Sequence, residues 1–330
     1  MSHRVLTGIT PSGIPHLGNY IGCIRPALAS QDDGHEHLYF IADLHSLIKQ
    51  WDAKTRQNDI LHVAATWLAL GLDPQKTIFY RQSDIPEILE LNWILTSVAG
   101  KGLLNRAHAY KDKVADNIEN QQDADKAITM GLFCYPILMA ADILAFNADS
   151  IPVGKDQLQH VEIARDIAAR FNHVYQQDFF TLPEAIIDEK TQIIPGRDGR
   201  KMSKSYDNTI PIFLDSKPLR KQIMKIVTNS LMPGEPKSTE GCTLFSIYSA
   251  IATPEETQAF RQAYAEGISW GDAKQMVFEY LDQLLEAPRA RYQDMITHPD
   301  TVFAHLEEGS HKAQKIAAPL LDKVKGLVGL

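Results

Sequence analysis

Cysteine is scarce: the 330-residue chain has three, Cys23, Cys134 and Cys242, and no two stand as Cys-x-x-Cys. That argues against a disulfide framework and a thiolate metal site, and it predicts a reducing compartment, the cytoplasm. No apolar run approaches the roughly 20 residues that a membrane helix needs. The opening Met-Ser-His-Arg-Val lacks the apolar core of a signal peptide. Basic residues are not in excess either, because 33 Lys and Arg against 41 Asp and Glu leave a formal charge of −8. Without a global basic footprint, any nucleic-acid contact must use a local patch. The chain has no Gly-x-x-x-x-Gly-Lys-[Ser/Thr] and no Gly-x-Gly-x-x-Gly, which excludes a P-loop and the ordinary dinucleotide fingerprint. Repeats and low-complexity tracts are missing as well.

What is present is the composition of a soluble globular protein, 44% hydrophobic and 22% charged, with room for two domains. Apolar runs at residues 5–9, 38–42, 77–81 and 151–153 read as strands. Helical patterns follow them at 17–28 (up to an interruption at Pro26), 60–72, 87–99, 132–146 and 155–171. Strands alternating with helices of this length predict a parallel sheet with helices on both faces, an α/β fold. Residues 105–127 are polar, and read as a solvated helix pair or a mobile functional loop. Residues 188–209 read as a loop. Beyond Pro218 strand signals vanish, and 219–230, 246–252, 254–266, 270–291 and 299–324 read as helices. The composition shift near 210–220 marks a domain boundary.

Two short stretches carry chemistry. Residues 11–19 read Pro-Ser-Gly-Ile-Pro-His-Leu-Gly-Asn, directly after the first predicted strand. Open parallel sheets bind ligands at the carboxyl ends of their strands. Gly13 and Gly18 let backbone approach a nucleotide closely. A helix starting near Gly18 offers N–H groups to phosphate, and His16 and Asn19 donate hydrogen bonds as charge builds there. Residues 201–205 read Lys-Met-Ser-Lys-Ser, after the flexible and basic Pro195-Gly196-Arg197-Asp198-Gly199-Arg200. Two ammonium groups on one loop suit a pentacoordinate α-phosphate and a departing pyrophosphate, both of which carry negative charge. Together the two stretches predict activation of an acid by attack on the α-phosphate of ATP.

These two motifs resemble the HIGH-type and KMSKS signatures of class I aminoacyl-tRNA synthetases. The chain as a whole is similar to the bacterial-type tryptophanyl branch of that family. Supporting segments cover most of the N-terminal two-thirds: Gly18-Asn19-Tyr20-Ile21-Gly22, Ile41-Ala42-Asp43-Leu44-His45, residues 135–144, residues 152–160 and the Lys-Met-Ser-Lys-Ser loop. The resemblance implies a Rossmann-like, doubly wound catalytic domain at 1–215, with the 105–127 segment and the loop 196–207 inside it. It also implies an all-helical anticodon-binding domain at 216–330, whose last helix packs back on the catalytic one.

Carried over by position, the resemblance makes His16, Asn19, Lys113, Lys201, Lys204 and Ser205 the catalytic set, with Lys111 as the near alternative to Lys113. ATP would meet Thr10, Pro11, Ser12, Gly18, Asn19, Gly154, Lys155, Asp156, Ile193 (or Ile194) and residues Lys201, Met202, Ser203, Lys204 and Ser205. The amino acid would meet Thr10, His45, Met139, Tyr135, Asp142, Val153 and Gln157. Asp142 sits in an apolar stretch, where a lone carboxylate is costly to bury. An indole N–H only donates, so a carboxylate suits it, and Met139 lies three residues earlier on the same helical face. The family usually has Gln where this chain has Thr10 and an aromatic where it has Leu6. No resident metal is implied beyond Mg²⁺ accompanying ATP. The implied partners are L-tryptophan, tRNA(Trp) and a second copy of the chain, without a membrane. Arg220, Lys221, Lys225, Arg289 and Arg291 are candidates for anticodon contact.

Other features point to no chemistry: His35-Glu36-His37 suits a strand edge, and His160 with Glu162 a helix surface. A tyrosyl enzyme, another adenylyltransferase with both motifs, and a non-catalytic RNA-binding paralogue remain as alternatives.

Overall fold

The computed structural model describes residues 3–187 and 194–330, with the side chain of Asp156 left out. Ile193 therefore lies outside the described residues. Five parallel strands form one sheet: β1 (Arg4–Ile9), β2 (Glu36–Ile41), β3 (Ile78–Arg81), β4 (Ser150–Pro152) and β5 (Glu184–Ile186), in the order β3-β2-β1-β4-β5. Leu6 pairs with Leu38 and Leu38 with Ile78, so β1, β2 and β3 share one register. Strands covered on both faces read as continuous apolar runs, which is why β1 to β4 are legible. β5 is not among the predicted strands. It has only three residues, two of them on a polar rim, and it owes its conformation to pairing with β4.

Alternate strand residues feed two cores. Leu38 and Phe40 point into the one built with the helices Pro86–Val98, Met130–Leu144 and Leu158–Val174. Tyr39 and Ile41 point into the other, which runs without a break through the helix Ala53–Ala69 to Phe260, Leu281 and Leu306 of the C-terminal helices. The final helix, Pro299–Val328, lies along the edge strand β3. The crossing is close: a Cβ at Gly309 would stand 1.8 Å from the Phe79 carbonyl oxygen, so only glycine fits. Ser310 Oγ donates to Asp84 (3.1 Å), Gln314 Nε2 to the Asp84 carbonyl (2.8 Å) and Lys312 Nζ to the Pro74 carbonyl (2.9 Å). An otherwise open sheet edge is thereby covered.

Several predicted boundaries shift. The first helix does not stop at Pro26. A π-turn at Tyr20–Ile24 widens the backbone just before it, and the helix resumes as Arg25–Ser30 with the proline in its first turn, where no N–H is needed. The helix predicted at 60–72 begins earlier, at Ala53, because the Asp52 carboxylate caps the Thr55 N–H (2.7 Å). Within 105–127 a helix spans His108–Glu119. The turn after it is held by Asn117, whose side-chain amide donates to the carbonyls of Ala124 and Lys126. The helix predicted at 219–230 runs from Ser216 to Met224, and the one starting at Trp270 continues to Thr297.

Candidate active site

The strand order reverses between β1 and β4, and ligands of open α/β sheets lie in the crevice beyond that point. A cavity of about 1100 Å³ opens there. The chain leaving β1 lines it with Thr10, Pro11, Ser12 and Gly13, and the turn after β2 adds His45. The helix Met130–Leu144 adds Tyr135, Met139 and Asp142. The chain leaving β4 adds Val153, Gly154 and Gln157. Ten of the residues assigned from sequence to ATP or the amino acid thus converge from four separate segments.

At one mouth stands His16. It begins the short helix Leu17–Asn19 and is locked reciprocally to Asn19. Its Nδ1 accepts from the Asn19 backbone N–H (3.3 Å), while Asn19 Oδ1 accepts from the His16 N–H (3.0 Å). Since Nδ1 accepts, the neutral ring carries its proton on Nε2. Burial, helped by the Lys204 charge, lowers the His16 pKa to about 4. The group is therefore a neutral donor at pH 7.

The Lys-Met-Ser-Lys-Ser loop folds onto this same mouth. Met202 is its anchor: the side chain is buried, and its sulfur accepts from the Gly18 N–H (3.3 Å). The chain beyond the loop is zipped to the first motif, with the Leu17 N–H donating to the Ile210 carbonyl (2.8 Å). Lys204 Nζ donates to the Ser12 carbonyl, and it would lie 2.9 Å from a Cβ at Gly13, which has φ +86°. Burial lowers the Lys204 pKa, against the opposing charge of Asp59, a cavity residue. Ser203 Oγ accepts from the Ser205 N–H (3.3 Å), and Asn208 Oδ1 from the Ser203 N–H (2.8 Å). Asn208 is buried and shapes the loop from inside.

At the other end Asp142 is 1% exposed. His45 Nε2 donates to its Oδ2 (2.9 Å), and Gln82 Nε2 to Oδ1 (2.7 Å) and Oδ2 (3.0 Å). Burial raises the Asp142 pKa, and these two partners pull it down. Nearby, Tyr135 hydroxyl bonds to His160 Nε2, and His160 Nδ1 to Gln157 Oε1 (2.9 Å). An amide oxygen only accepts, so Nδ1 carries the proton and Nε2 takes the one from Tyr135. The phenol oxygen is left as an acceptor, which suits a substrate ammonium.

A model of the family described as class I tRNA synthetases (W and Y) matches residues 1–286. The chain belongs to this family. It is 57% identical to the tryptophan–tRNA ligase of Xanthomonas campestris over 332 residues, covering all of this chain and 77% of that one. It is 56% identical to that of Pseudomonas putida, covering 74% of it. The crystal structure of a Campylobacter jejuni tryptophanyl-tRNA synthetase complexed with ADP and tryptophan superposes with a TM-score of 0.89. It is 41% identical and covers 99% of this chain and 100% of that one. A tyrosyl-tRNA synthetase from Archaeoglobus fulgidus shares the fold at 20% identity and a TM-score of 0.67.

Membership of the class I synthetases brings ATP use, and it frames what sequence reading missed. Gln82 gave no signal, being a polar residue between a strand and a short helical turn. His160 is corrected from helix surface to buried cavity wall, because the first turn of its helix faces Tyr135. Lys113 and Lys111 do not line the cavity; their helix presents His108, Ala109 and Asp112 to it. Lys155, Lys201 and Ser205 are exposed and do not line the cavity. Leu6 lines the cavity alongside Thr10.

The neutral state of His16 has a measurable consequence. Its folded pKa of about 4 lies below the unfolded 6.5. The unfolded chain therefore binds more protons in that window, and stability drops as the pH is lowered through it. The His16 contribution is complete above about 6.5 and lost on the way down to 4. Denaturant unfolding from pH 8 to 4.5 should show a steeper decline for the native chain than for His16→Asn. Parallel curves would mean that the imidazole titrates normally.

Proposed function

We infer that this chain attaches L-tryptophan to tRNA(Trp) in two steps, of which the first consumes ATP. The observation that carries the reading is the buried Asp142 in the wall of a cavity that Lys204 reaches through the Ser12 carbonyl, with His16 beside Lys204. Full-length relatives named tryptophan–tRNA ligase support it. In the first step the tryptophan carboxylate oxygen attacks the α-phosphorus in line. The bond to the bridging oxygen breaks, and pyrophosphate leaves with both bonding electrons. The protein contributes position and field rather than a covalent intermediate. The His16 Nε2–H and the ammonium groups of Lys204 and Lys201 face the charge that develops. In the second step a hydroxyl of the tRNA 3′-terminal ribose attacks the activated carbonyl, and AMP departs.

The ribose is assigned to Gly154, Lys155 and Asp156, adenine to the 193–194 backbone, and the phosphates to Gly18 and to Lys113, whose side chain is outside the cavity lining. Thr10, Tyr135 and Gln157 hold the ammonium. Asp142, Met139, His45 and Val153 enclose the side chain. Among the described residues no group of three or more His, Cys, Asp or Glu is placed to hold an ion. Mg²⁺ accompanies ATP in this reading, held by phosphate oxygens and water.

Residues 1–215 form the catalytic part and 216–330 the anticodon-reading part. Arg220, Lys221, Lys225 and Arg291 are the exposed candidates there, Arg291 with its Nε donating to the Ala69 carbonyl, whereas Arg289 is half-buried and pairs with Asp282. The active form is a homodimer. Leu89 and Trp93 support that, lying one turn apart on the helix Pro86–Val98 with Trp93 71% exposed. No described helix is long and apolar enough to cross a membrane, and three free thiols accord with a cytoplasmic setting. ATP–pyrophosphate exchange should proceed with tryptophan alone among the amino acids. Exchange with tyrosine instead would reverse the specificity, and no exchange at all would end the enzymatic reading.

A further inference from the structure

Gln82 sits at the carboxyl end of β3, fully buried, and none of the chemistry above uses it. Its amide is fixed at both ends. Oε1 accepts the Leu44 N–H (3.0 Å), which forces Nε2 toward Asp142, where it spans both carboxylate oxygens at 2.7 and 3.0 Å. The segment that follows it is fixed in turn, because Asp43 accepts from the Ser83 N–H (3.0 Å) and hydroxyl (2.6 Å). Gln82 is thus held by two strand ends and cannot rotate away.

A carboxylate has about four acceptor positions. Gln82 and His45 occupy one on Oδ1 and two on Oδ2, and one position on Oδ1 is left. Tyr80 also lies within reach of the Asp142 charge. Its hydroxyl is buried with no hydrogen-bond partner, so it does not fill that position.

We propose that Gln82 is a positioning residue for amino-acid selection: it clamps Asp142 so that its remaining acceptor position meets the ring N–H of the substrate. This rests on the reading of Asp142 as the indole acceptor. The charged state of the carboxylate depends on the same clamp. Burial and the Asp43 charge push its pKa up, and His45 and Gln82 push it down. A buried acceptor held in its charged form rejects a ligand that lacks the donor, because nothing replaces the missing hydrogen bond.

The test uses Gln82→Met, which keeps the shape and removes the donors, and Gln82→Glu, which keeps the acceptor for Leu44. Both are assayed in the full chain by ATP–pyrophosphate exchange, with melting curves to show that the fold is kept. The substrates are tryptophan and its benzothiophene analogue, an isostere without the N–H. The change should fall on KM rather than kcat: about a tenfold rise in KM for tryptophan, with the preference over the analogue shrinking by a similar factor. In the folded variants KM should climb further as pH falls from 8 to 6, because Asp142 then protonates more readily. Unchanged preference and unchanged pH dependence in either folded variant overturn the proposal. So does a parallel loss of kcat and thermal stability with the preference intact, which is what a structural prop alone would give. Asp142→Ala serves as the separate arm: if it too leaves the preference intact, the reading of Asp142 fails rather than the role of Gln82.

Discussion

Replacing Lys204 with alanine lowers the single-turnover rate of adenylate formation about a hundredfold, while tryptophan affinity shifts less than about threefold, as expected when one donor to a developing anion is lost. The asymmetry follows from place. Lys204 Nζ lies at the Ser12 carbonyl, on the turn that leaves β1, beside the glycine that gives it room. Ser12 and Asp142 both line the cavity, and Asp142 comes from a different segment, the helix Met130–Leu144. An ammonium beside Ser12 feels the charge on the phosphates, and feels it most as the fifth oxygen joins and the pyrophosphate departs. The side chain is exposed, and partial desolvation lowers its pKa against the opposing Asp59 charge. The loop carrying it keeps its shape without the amine, because Met202 and Asn208 anchor the loop from within. A loss of tryptophan binding without a loss of rate would show that the loop had been misread.

Asp142→Ala gives the opposite pattern. Tryptophan affinity, titrated calorimetrically in the absence of ATP, should fall by about 10- to 100-fold, the range for a hydrogen bond to a charged group. Two effects add. The acceptor for the indole N–H is lost, and the N–H groups of His45 and Gln82 are left buried without their partner. Unfilled donors of that kind are themselves destabilising by about 1–3 kcal/mol each, so a lower melting temperature should accompany the affinity loss. Unchanged affinity would make Asp142 part of the scaffold only.

The legible parts of this chain are those whose physics is local. β1 to β4 announce themselves because a strand covered on both faces must be apolar throughout. Residues 11–19 and 201–205 announce themselves because phosphate chemistry places donors and ammonium groups at short, fixed intervals on one turn. Where local signals are weak, the reading fails in a consistent way. β5 is three residues held by its neighbour. Pro26 reads as a helix stop because a wide turn that accommodates it leaves no mark in composition. His160 reads as surface because nothing in its own helix shows that Tyr135 lies opposite.

The sequence by itself determined the class of reaction: residue types, order and spacing at the two loops leave little else for them to do than handle ATP. Asp142 too was visible, as a carboxylate in an apolar run. Only the tertiary structure decided what surrounds it. His45, Gln82 and Asp142 come from three segments spaced 37 and 60 residues apart, and they meet because β2, β3 and the helix Met130–Leu144 converge at one end of the sheet. Hydrogen bonds between such distant positions leave no periodicity and no motif, so the choice of substrate is written in packing rather than in any stretch of sequence.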